Sequence, residues 1–472
     1  MTGLALQPGQ SDLPSKHSTH SYWHQDPSPI LLGHRTTPQL PTHASVVVVG
    51  SGITGAFAAR ELVQAGTDVV MLEAREACWG ATGRNGGHCQ PLAFLSELDI
   101  AKFELDTYRF LSDLIRENNI PCSWEEVGGV YAISSPATVP LIEKRIAHLR
   151  VSEPEIGSHV RLVTDQQELR SLRLRDDSAV AAVVQDRAAK CWPYKLVCWV
   201  LERLLEHPGG LLNLQTGTPV EHVQHHGQGW IVHTERGQVA ADSVILATNA
   251  YTSRLLPRFT GIIIPTRGQV SALIPPANAP PLAHSHLWSV REDGDYGESE
   301  NYLVQRPTGE LILGGERMCT SDAGNGVSHD DEIDETVAKR LRRAIRSELR
   351  LDQSSPDSDP DELAASYEWT GIMGFSRDSK PWVGRVPASL GGSDESSSGG
   401  LWLSAGYTGH GMPVAARTGI SVAQKILGKT GQGVVEVPPD WLVSEERVDK
   451  AQTLVMPETM EDELRVLVQN EA

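Results

Sequence analysis

The sequence predicts an α/β protein in two parts, a parallel sheet flanked by helices and a second, α+β part built on an antiparallel sheet. Three observations lead to this prediction. A β-branched strand runs into a glycine-rich turn and a helix at residues 46–64, and a strand, a glycine-rich loop and a helix follow one another again at residues 401–426. Between these units, residues 260–365 carry short apolar runs split by proline and glycine turns, which is typical of antiparallel strands.

The first unit, residues 45–91, has the order of a βαβ nucleotide-binding motif. It contains a strand (residues 46–49), the glycines Gly50, Gly52 and Gly55 in the spacing G-x-G-x-x-G, a helix (56–64), a second strand (67–72) and then Glu73. The strand consists of four valines, as expected for a parallel strand that is buried on both faces. Because all the parts occur in the right order, a glycine-rich turn without a ligand is the weaker interpretation.

Each residue of this motif has a physical task. Gly50 permits the tight turn, Gly52 lets the backbone approach a pyrophosphate, and Gly55 lets the helix pack closely on the strand. The free N–H groups and the positive dipole at the start of the helix favour phosphate. Glu73, 23 residues after Gly50, is placed to accept a hydrogen bond from a ribose hydroxyl. An acid at this position disfavours a 2′-phosphate, so the motif predicts a Rossmann-like site for FAD or NAD.

Composition narrows the class of protein. The chain has 472 residues, 40% hydrophobic and 21% charged, and a formal charge of −19. This charge disfavours nucleic acid and anionic membranes as partners. No apolar run approaches the roughly 20 residues needed to span a bilayer, and the N-terminal residues have no secretory apolar core. The six cysteines form no C-x-x-C pair, so we expect buried, reduced thiols and a cytoplasmic location.

Residues 1–43 are rich in Pro, Ser, Thr and His and show no periodicity, which predicts an extended arm whose first part is disordered. Its apolar residues are expected to pin the arm to the protein surface: Tyr22, Trp23, Ile30, Leu31 and Leu32. Its histidines have no zinc-type spacing, so we expect solvated side chains and no metal site: His17, His20, His24, His34 and His43.

The sequence of the middle of the chain predicts further helices and strands that contain no candidate functional residues. The predicted elements are a helix at 95–118, a strand pair within 121–135 around Gly128 and Gly129, a helix at 139–151, a helix starting after Pro193, and strands over 211–247 that include a hairpin with Gly237 at its turn. Residues 335–349 predict an amphipathic helix whose arginines are paired with nearby acids. After residue 437 the tail is polar and predicts one helix, at about 460–468.

Seven sequence blocks resemble the FAD-dependent D-amino-acid oxidase superfamily, and within it the gamma-glutamylputrescine oxidase branch. The blocks, which occur in the family's order between residues 44 and 430, are GSGITG, LEA (72–74), GATGRNGGH (80–88), ATNAY (247–251), PTRGQ (265–269), WTGIMGFSRDSKPWVG (369–384) and GYTGHGM (406–412). The resemblance implies a discontinuous, Rossmann-like FAD-binding domain (44–100, 181–259 and 366–430) and a second α+β substrate domain on an antiparallel sheet (101–180 and 260–365). Residues 1–43 form the arm and 431–472 the tail.

The resemblance also implies the residues that contact the cofactor. Those at the pyrophosphate turn are Gly50, Ser51, Gly52, Ile53, Thr54 and Gly55; those at the adenosine ribose are Glu73 and Ala74; Val220 pairs with adenine through its backbone. Those along the flavin's ribityl chain and ring are Thr82, Arg84, Asn85 and Gly87, and those at its pyrimidine edge are Gly409, His410, Gly411 and Met412.

The sequence departs from some relatives at positions that matter. Arg84 and Gly371 stand where a histidine or a cysteine anchors flavin covalently in some relatives, so noncovalent FAD is expected. Pro91 stands near the place of an arginine that holds a substrate carboxylate, and no lysine is found near Ile312, where relatives promote reaction with oxygen. These departures leave open an amine without an α-carboxylate and an electron acceptor other than oxygen.

The resemblance predicts oxidation of a C–N bond in an amine or amino-acid-like molecule, by hydride transfer to flavin N5. Molecular oxygen is the expected acceptor, with an imine or aldehyde and hydrogen peroxide as products. The candidate catalytic residues are His410, for proton handling or only for the shape of its loop, and Arg267, for an acidic substrate group or only for structure. Two alternatives remain, a dehydrogenase of hydroxy acids or polyols (C–O oxidation) and a flavin-binding scaffold without turnover.

Overall fold

Nineteen strands form three sheets in the part of the chain that the computed structural model describes, residues 6–291, 298–320, 322–351, 361–394, 399–454 and 459–471. In chain order the strands are β1 His43–Val49, β2 Val69–Leu72, β3 His88–Cys89, β4 Glu125–Glu126, β5 Gly129–Ile133, β6 Val160–Val163, β7 Ala181–Gln185, β8 Ala189–Lys190, β9 Leu212–Gln215, β10 Val220–His226, β11 Gly229–Thr234, β12 Gly237–Leu246, β13 Ile263–Leu273, β14 Ser285–Arg291, β15 Glu298–Gln305, β16 Leu311–Gly315, β17 Ala365–Ser376, β18 Trp382–Arg385 and β19 Leu401–Ala405.

The α-helices of the described residues lie on the faces and at the ends of these sheets. In chain order they are α1 Ile53–Gln64, α2 Leu98–Asn118, α3 Val139–Ser152, α4 Pro154–Ser158, α5 Gln166–Ser171, α6 Pro193–Leu205, α7 Thr252–Leu255, α8 Glu335–Glu348, α9 Ala415–Ile426, α10 Glu445–Thr453 and α11 Met460–Asn470.

The first sheet has a parallel centre, β9-β2-β1-β12-β19, with β11 and β10 antiparallel beyond β12 and β18 antiparallel to β19. The valines of β1 are buried on both faces: Val46 and Val48 pack in the core that contains α1, α6 and α9, while Val47 and Val49 pack in the core on the opposite face. The predicted buried parallel strand is therefore confirmed, and both glycine-rich segments lie at the carboxyl ends of parallel strands, β1 and β19, which flank β12.

The second sheet is antiparallel except for the pair β14 and β5, in the order β17-β13-β16-β15-β14-β5-β7-β6. Helix α8 covers one of its faces, where Leu341 and Ile345 pack with Leu303 and Leu311. The opposite face looks toward the first sheet. The predicted combination of a parallel sheet with a second part built on an antiparallel sheet is thus confirmed.

Several sequence-based expectations need correction. The strands β4 and β5 do not pair with each other: β4 pairs with β8, and β5 lies between β14 and β7. Gly128, with φ +66°, turns the chain between β4 and β5 as in a hairpin. All residues of β5 are buried, and this strand is covered better inside the large sheet than it would be in a two-stranded hairpin. The strands β7 and β17 pair in the second sheet. The domain boundaries stay a prediction.

The N-terminal arm is built into the structure from residue 6 onward, so the expected disorder of its first part is wrong for the described residues. Tyr22, Trp23 and Leu31 are buried as predicted, whereas Ile30 and Leu32 are each 49% exposed. His24, expected in solvent, is 3% exposed and its ring stacks on Trp79 with 4.6 Å between centroids. Burial lowers the pKa of His24 to about 3, so this imidazole is neutral.

Other expectations hold or change in detail. The predicted hairpin is confirmed by the pairing of Thr234 with Gly237 in β11 and β12, and Arg342 and Arg343 of α8 both pair with Glu362, as the charge pattern predicted. The tail contains two helices, α10 and α11, where one was predicted. None of the six cysteines, all of which lie among the described residues, forms a disulfide. Within the same residues no helix is long and apolar enough to cross a membrane, and no cluster of side chains could hold a metal ion.

Candidate active site

A large cavity lies between the first sheet and the open face of the second sheet, with a volume of about 1410 Å³. This volume exceeds the roughly 300–1,000 Å³ of usual small-molecule sites. The walls come from the turn after β1, the segment 80–90, the loop 406–412, the face of the second sheet, and parts of the arm and tail. The cavity therefore joins the two glycine-rich segments to the second sheet.

The glycine turn after β1 can only be built from glycine. Gly50 has φ +103°, and a Cβ on it would lie 2.6 Å from the carbonyl oxygen of Ala247. A Cβ on Gly55 would lie 2.0 Å from the carbonyl oxygen of Gly50. Gly55 is not among the residues that line the cavity, and its lack of a side chain lets α1 pack against the turn. Its direct contact with the cofactor stays a prediction.

Glu73, at the end of β2, fixes the shape of this turn. Its Oε2 accepts hydrogen bonds from the backbone N–H of Ser51 (3.0 Å) and from the Ser51 hydroxyl (2.6 Å), and its Oε1 accepts from the N–H of Arg75 (2.9 Å). Thr82 Oγ1 accepts from the N–H of Ile53 at the start of α1 (3.1 Å). The carboxylate and the helix start thus lie side by side at the cavity wall.

The wall of the cavity contains most of the predicted cofactor residues. These are Gly50, Ser51, Gly52, Ile53, Thr54, Glu73, Ala74, Thr82, Arg84, Asn85, Val220, Gly409, His410, Gly411 and Met412. They come from separate regions of the chain and meet only because the carboxyl ends of the parallel strands lie at one edge of the sheet.

Arg84 reaches the cavity, but its guanidinium is bound to protein groups. Its Nε donates to the carbonyl oxygen of Thr370 (2.5 Å) and lies 3.2 Å from Asp330, a fully buried carboxylate that also binds Arg75 at 2.8 Å. Burial lowers the pKa of Arg84 to about 10, against the opposing effect of Asp330, so the side chain is charged at neutral pH. Arg84 therefore joins the flavin-side segment to the arm and to β17.

Two further predicted residues lie outside the cavity wall. A Cβ on Gly87 would come within 2.7 Å of both the Cys191 carbonyl oxygen and the Trp23 ring, so this glycine makes room for Trp23. Arg267 on β13 forms an ion pair with Glu332 at 3.4 Å, while its neighbour Gly268 lines the cavity. Arg267 is not among the residues that line the cavity, and its catalytic role stays a prediction.

His410 does lie in the cavity wall, in the loop between β19 and α9. The hydroxyl of Tyr407 in this loop makes hydrogen bonds with Thr54 of α1 (2.8 Å) and Thr418 of α9 (3.2 Å). His410 Nε2 lies 3.3 Å from Glu104 Oε1, and the Glu104 side chain is only 3% exposed. The loop is therefore fixed against both helices.

The pKa of His410 is the outcome of opposing effects. Desolvation by burial lowers it, while the charge and hydrogen bond of Glu104 and the charge of Glu300 raise it, and the net effect is a raised pKa. His88, which also lines the cavity, behaves in the opposite way: burial lowers its pKa to about 3. The cavity thus holds one histidine that retains a proton toward neutral pH and one that is neutral.

The face of the second sheet supplies side chains that the sequence analysis missed. Tyr131 of β5, Ser289 of β14, and Glu300 and Tyr302 of β15 all line the cavity. The Tyr302 ring is accommodated because Gly86 and Gly314 have no side chain, since a Cβ on either would lie 2.2 Å from it. The alternation of Glu300 and Tyr302 with the buried Asn301 was the available signal, but it does not say which face meets the cavity.

The cavity wall fits a dinucleotide. The turn at Gly50 and Gly52 leaves the backbone accessible, the start of α1 supplies a positive dipole, and Glu73 is a carboxylate at the end of the second strand. Gly371 and Arg84 face each other at this wall, with 3.0 Å from a Cβ on Gly371 to that of Arg84. Neither residue can form the covalent flavin bond that a histidine or cysteine forms.

Comparison with known proteins agrees with this geometry. A model of the FAD dependent oxidoreductase family DAO matches residues 45–425. The chain is 24% identical over 401 residues to a gamma-glutamylputrescine oxidoreductase of Escherichia coli K12, covering 81% of this chain and 83% of the relative. It is 25% identical to a glycine oxidase of Pseudomonas aeruginosa over 397 residues, 78% of this chain and 91% of the relative.

A solved structure supports the fold. The crystal structure of glycine oxidase from Geobacillus kaustophilus superposes with a TM-score of 0.68 at 19% identity, covering 86% of this chain and 99% of that one. The family match spans both sheets and both glycine-rich segments. The chain therefore belongs to the DAO family of FAD-dependent oxidoreductases, of the amine and amino-acid oxidase type, with FAD as its noncovalent cofactor.

Proposed function

We propose that this protein oxidises a C–N bond of a small amine and passes the electrons to molecular oxygen, giving an imine that hydrolyses to an aldehyde, and hydrogen peroxide. The observation that carries the proposal is the continuous cavity, which joins the nucleotide turn of the first sheet to the polar face of the second. Bound FAD supplies the hydride acceptor for the substrate's C–H bond next to nitrogen. The protein's residues must therefore hold the cofactor and the amine against each other.

The first sheet supports the binding of the cofactor. The backbone of residues 50–54 and the start of α1 are proposed to hold the pyrophosphate, and Glu73 with Ala74 the ribose. Val220 is proposed at the adenine, and Thr82, Arg84 and Asn85 along the flavin. The loop 409–412 precedes α9, whose positive dipole end favours a negative charge beside it, as does a protonated His410.

The charges on the substrate side favour an amine. Glu104 and Glu300 both act on His410, and no lysine or arginine among the described residues forms an ion pair with either carboxylate. Both carboxylates line the cavity, and a carboxylate attracts a cationic ammonium group. The E. coli relative bears the name of a putrescine derivative, which is an amine. These points support C–N oxidation over the oxidation of hydroxy acids.

The test is a spectrum of the purified holoprotein during anaerobic addition of single amines, with putrescine derivatives and N-methyl amino acids in the panel. We expect flavin absorbance that one amine bleaches and air restores, with one hydrogen peroxide formed per turnover. A flavin that ignores every amine but is bleached by a 2-hydroxy acid would move the assignment to C–O oxidation. A flavin that neither amines nor 2-hydroxy acids bleach would leave the flavin-binding scaffold without turnover as the remaining hypothesis.

A further inference from the structure

The substrate side of the cavity contains two opposite charges that do not pair with each other, Glu300 and Arg317. Both line the cavity, Glu300 from β15 and Arg317 from the turn that follows β16. Among the described residues neither forms an ion pair with a lysine, arginine, aspartate or glutamate. Both charged groups are therefore available to a ligand in the cavity.

Glu300 is oriented toward one side of the sheet's open face. It lies directly opposite Ser289 of β14, and the hydroxyl of Tyr131 on β5 hydrogen-bonds to Glu300 and lies 3.2 Å from Ser289 Oγ. Burial raises the pKa of Glu300, with Tyr131 and then His410 opposing that effect. The rings of Tyr131 and Tyr302 line the cavity on the same face, and aromatic faces attract ammonium groups.

Arg317 is oriented toward the other side. Its guanidinium carbon lies 4.6 Å from the centroid of the Phe375 ring on β17, and its Nη1 donates to the carbonyl oxygen of Ala323 (3.3 Å). Burial lowers its pKa. An arginine held over an aromatic ring presents its other N–H groups in a planar fork that fits a carboxylate.

The contacts of the two charges lie on opposite sides of the sheet's open face. Phe375 lies two strands from β16 on one side, and Tyr131 lies two strands from β15 on the other. Glu300 and Arg317 begin on or next to neighbouring strands, and their side chains diverge toward these two contacts. A substrate that meets both charges therefore extends across the face, as an amine with a remote carboxylate does.

We propose that Glu300 binds the ammonium group of the substrate and that Arg317 binds a carboxylate at its distant end. This inference rests on the proposed amine oxidation and names the residues that would select the substrate. Before oxidation the ammonium gives one proton to the Glu300 carboxylate: one N–H bond breaks, one O–H bond forms, and the amine becomes neutral. The tyrosine rings surround the ammonium end, and the ring of Phe375 holds the arginine in place.

The experiment compares two amines that share an aminobutyl chain, γ-glutamylputrescine, which has a distant carboxylate, and N-acetylputrescine, which has none. Anaerobic flavin reduction and steady-state kinetics are measured for the holoprotein and for Glu300→Gln and Arg317→Gln. Arg343→Gln and Glu117→Gln, on exposed helix positions outside the cavity, are the matched controls. FAD dissociation constants and thermal midpoints are measured for every variant.

We expect the wild type to favour γ-glutamylputrescine through a lower KM. Glu300→Gln should raise the KM of both amines by about tenfold or more, as expected for the loss of a charged hydrogen bond. It should also change the pH profile of flavin reduction. Arg317→Gln should raise the KM of γ-glutamylputrescine alone by a similar factor and abolish the preference. The FAD affinity of every variant should equal that of the wild type, and the control variants should have wild-type KM values. Glu300→Asp and Arg317→Lys should restore part of the affinity for the amine substrate.

The possible failures are distinguishable. Wild-type flavin that no amine reduces overturns the proposed function and this inference together. Flavin reduced by other amines, but by neither of these two, overturns the inference and leaves amine oxidation intact. Reduction by both amines with Glu300→Gln and Arg317→Gln behaving like the controls also overturns it. If a glutamine variant fails to fold, the Asp and Lys variants decide by the same KM criterion.

Discussion

At the scale of single residues, His410 shows how one position combines a packing role with a chemical one. Its ring lies in a loop fixed by Tyr407, and its Nε2 lies 3.3 Å from the buried carboxylate of Glu104. A histidine whose pKa is raised in the folded protein binds its proton more tightly there than in the unfolded chain. The contribution of His410 to stability is therefore complete below its unfolded pKa and is lost as the pH rises through the folded pKa.

This sign gives a first prediction. Compared with the wild type, His410→Asn should lower the free energy of unfolding by about 1 kcal/mol at pH 6, the usual size for a partly exposed ion pair, and by less at pH 9. Urea unfolding of both proteins at the two pH values measures the difference. His225→Asn, at an exposed position in β10, is the control and should show no pH dependence. An equal loss at both pH values would contradict the ion pair with Glu104.

At the scale of elements, the N-terminal arm takes part in building the site although the family match begins after it. The indole of Trp23 is fully buried, and its Nε1 donates to the carbonyl oxygen of Asn85 (2.6 Å). Ser21 Oγ donates to the carbonyl oxygen of Gly83 (2.9 Å). The arm thus holds the segment that is proposed to lie along the flavin.

A second prediction follows for this element. Trp23→Ala should destabilise the protein by about 3–5 kcal/mol, the usual loss for a large aromatic side chain in a core, and should weaken FAD binding because residues 83–87 lose their support. Urea unfolding and the fluorescence change on flavin release measure the two effects. Ile30→Ala, at a residue 49% exposed in the same arm, should stay within about 0.5 kcal/mol of the wild type. Unchanged FAD affinity in Trp23→Ala would contradict a role of the arm in the site.

At the scale of the whole molecule, the cavity lies between two sheets that also share part of one core, in which Val48 of the first sheet and Val270 of the second are buried. The first sheet contributes the turn at Gly50, and the second contributes Tyr131, Glu300 and Tyr302. Lys380 links further parts of the cavity rim, with ion pairs to Glu97 before α2 (3.0 Å) and to Asp440 in the tail (2.8 Å). A ligand that contacts both sheets stabilises the folded chain as a unit, since it binds the native state only.

The third prediction concerns this ligand. FAD at a free concentration 100 times its dissociation constant should raise the free energy of unfolding of the apoprotein by about 2.7 kcal/mol, and thermal unfolding with increasing FAD measures the effect. Riboflavin, which lacks the pyrophosphate and adenosine, should stabilise the apoprotein far less because it leaves the Gly50 turn and Glu73 without a ligand.

A separate prediction concerns the bond between the protein and the flavin. Acid precipitation of the holoprotein should release the flavin into the supernatant. Flavin that stays with the precipitate would show a covalent bond. This result would contradict the expectation of noncovalent FAD, which rests on the absence of a histidine or cysteine at positions 84 and 371.

The sequence alone determined the nucleotide site and the fold class. The positive φ of Gly50, the contact of Gly55 with the turn and the hydrogen bonds of Glu73 are local: a turn, a helix start and a strand end lie within one short segment, and only certain residue types fit them. Hydrophobic periodicity is local in the same way, so most helices and strands follow from it. These features do not depend on distant parts of the chain.

Tertiary structure alone decided which other residues join the site. Arg267 and Glu300 both lie on strands of the second sheet, and only the orientation of that sheet puts Glu300 inside the cavity and Arg267 outside it. The sequence places Gly87 in a cofactor-binding motif, but in the structure the side chain of the distant Trp23 occupies the space beside this glycine. Alternation along a strand shows which side chains share a face, but it does not show which face lines the cavity. Packing between distant segments decides which face does so.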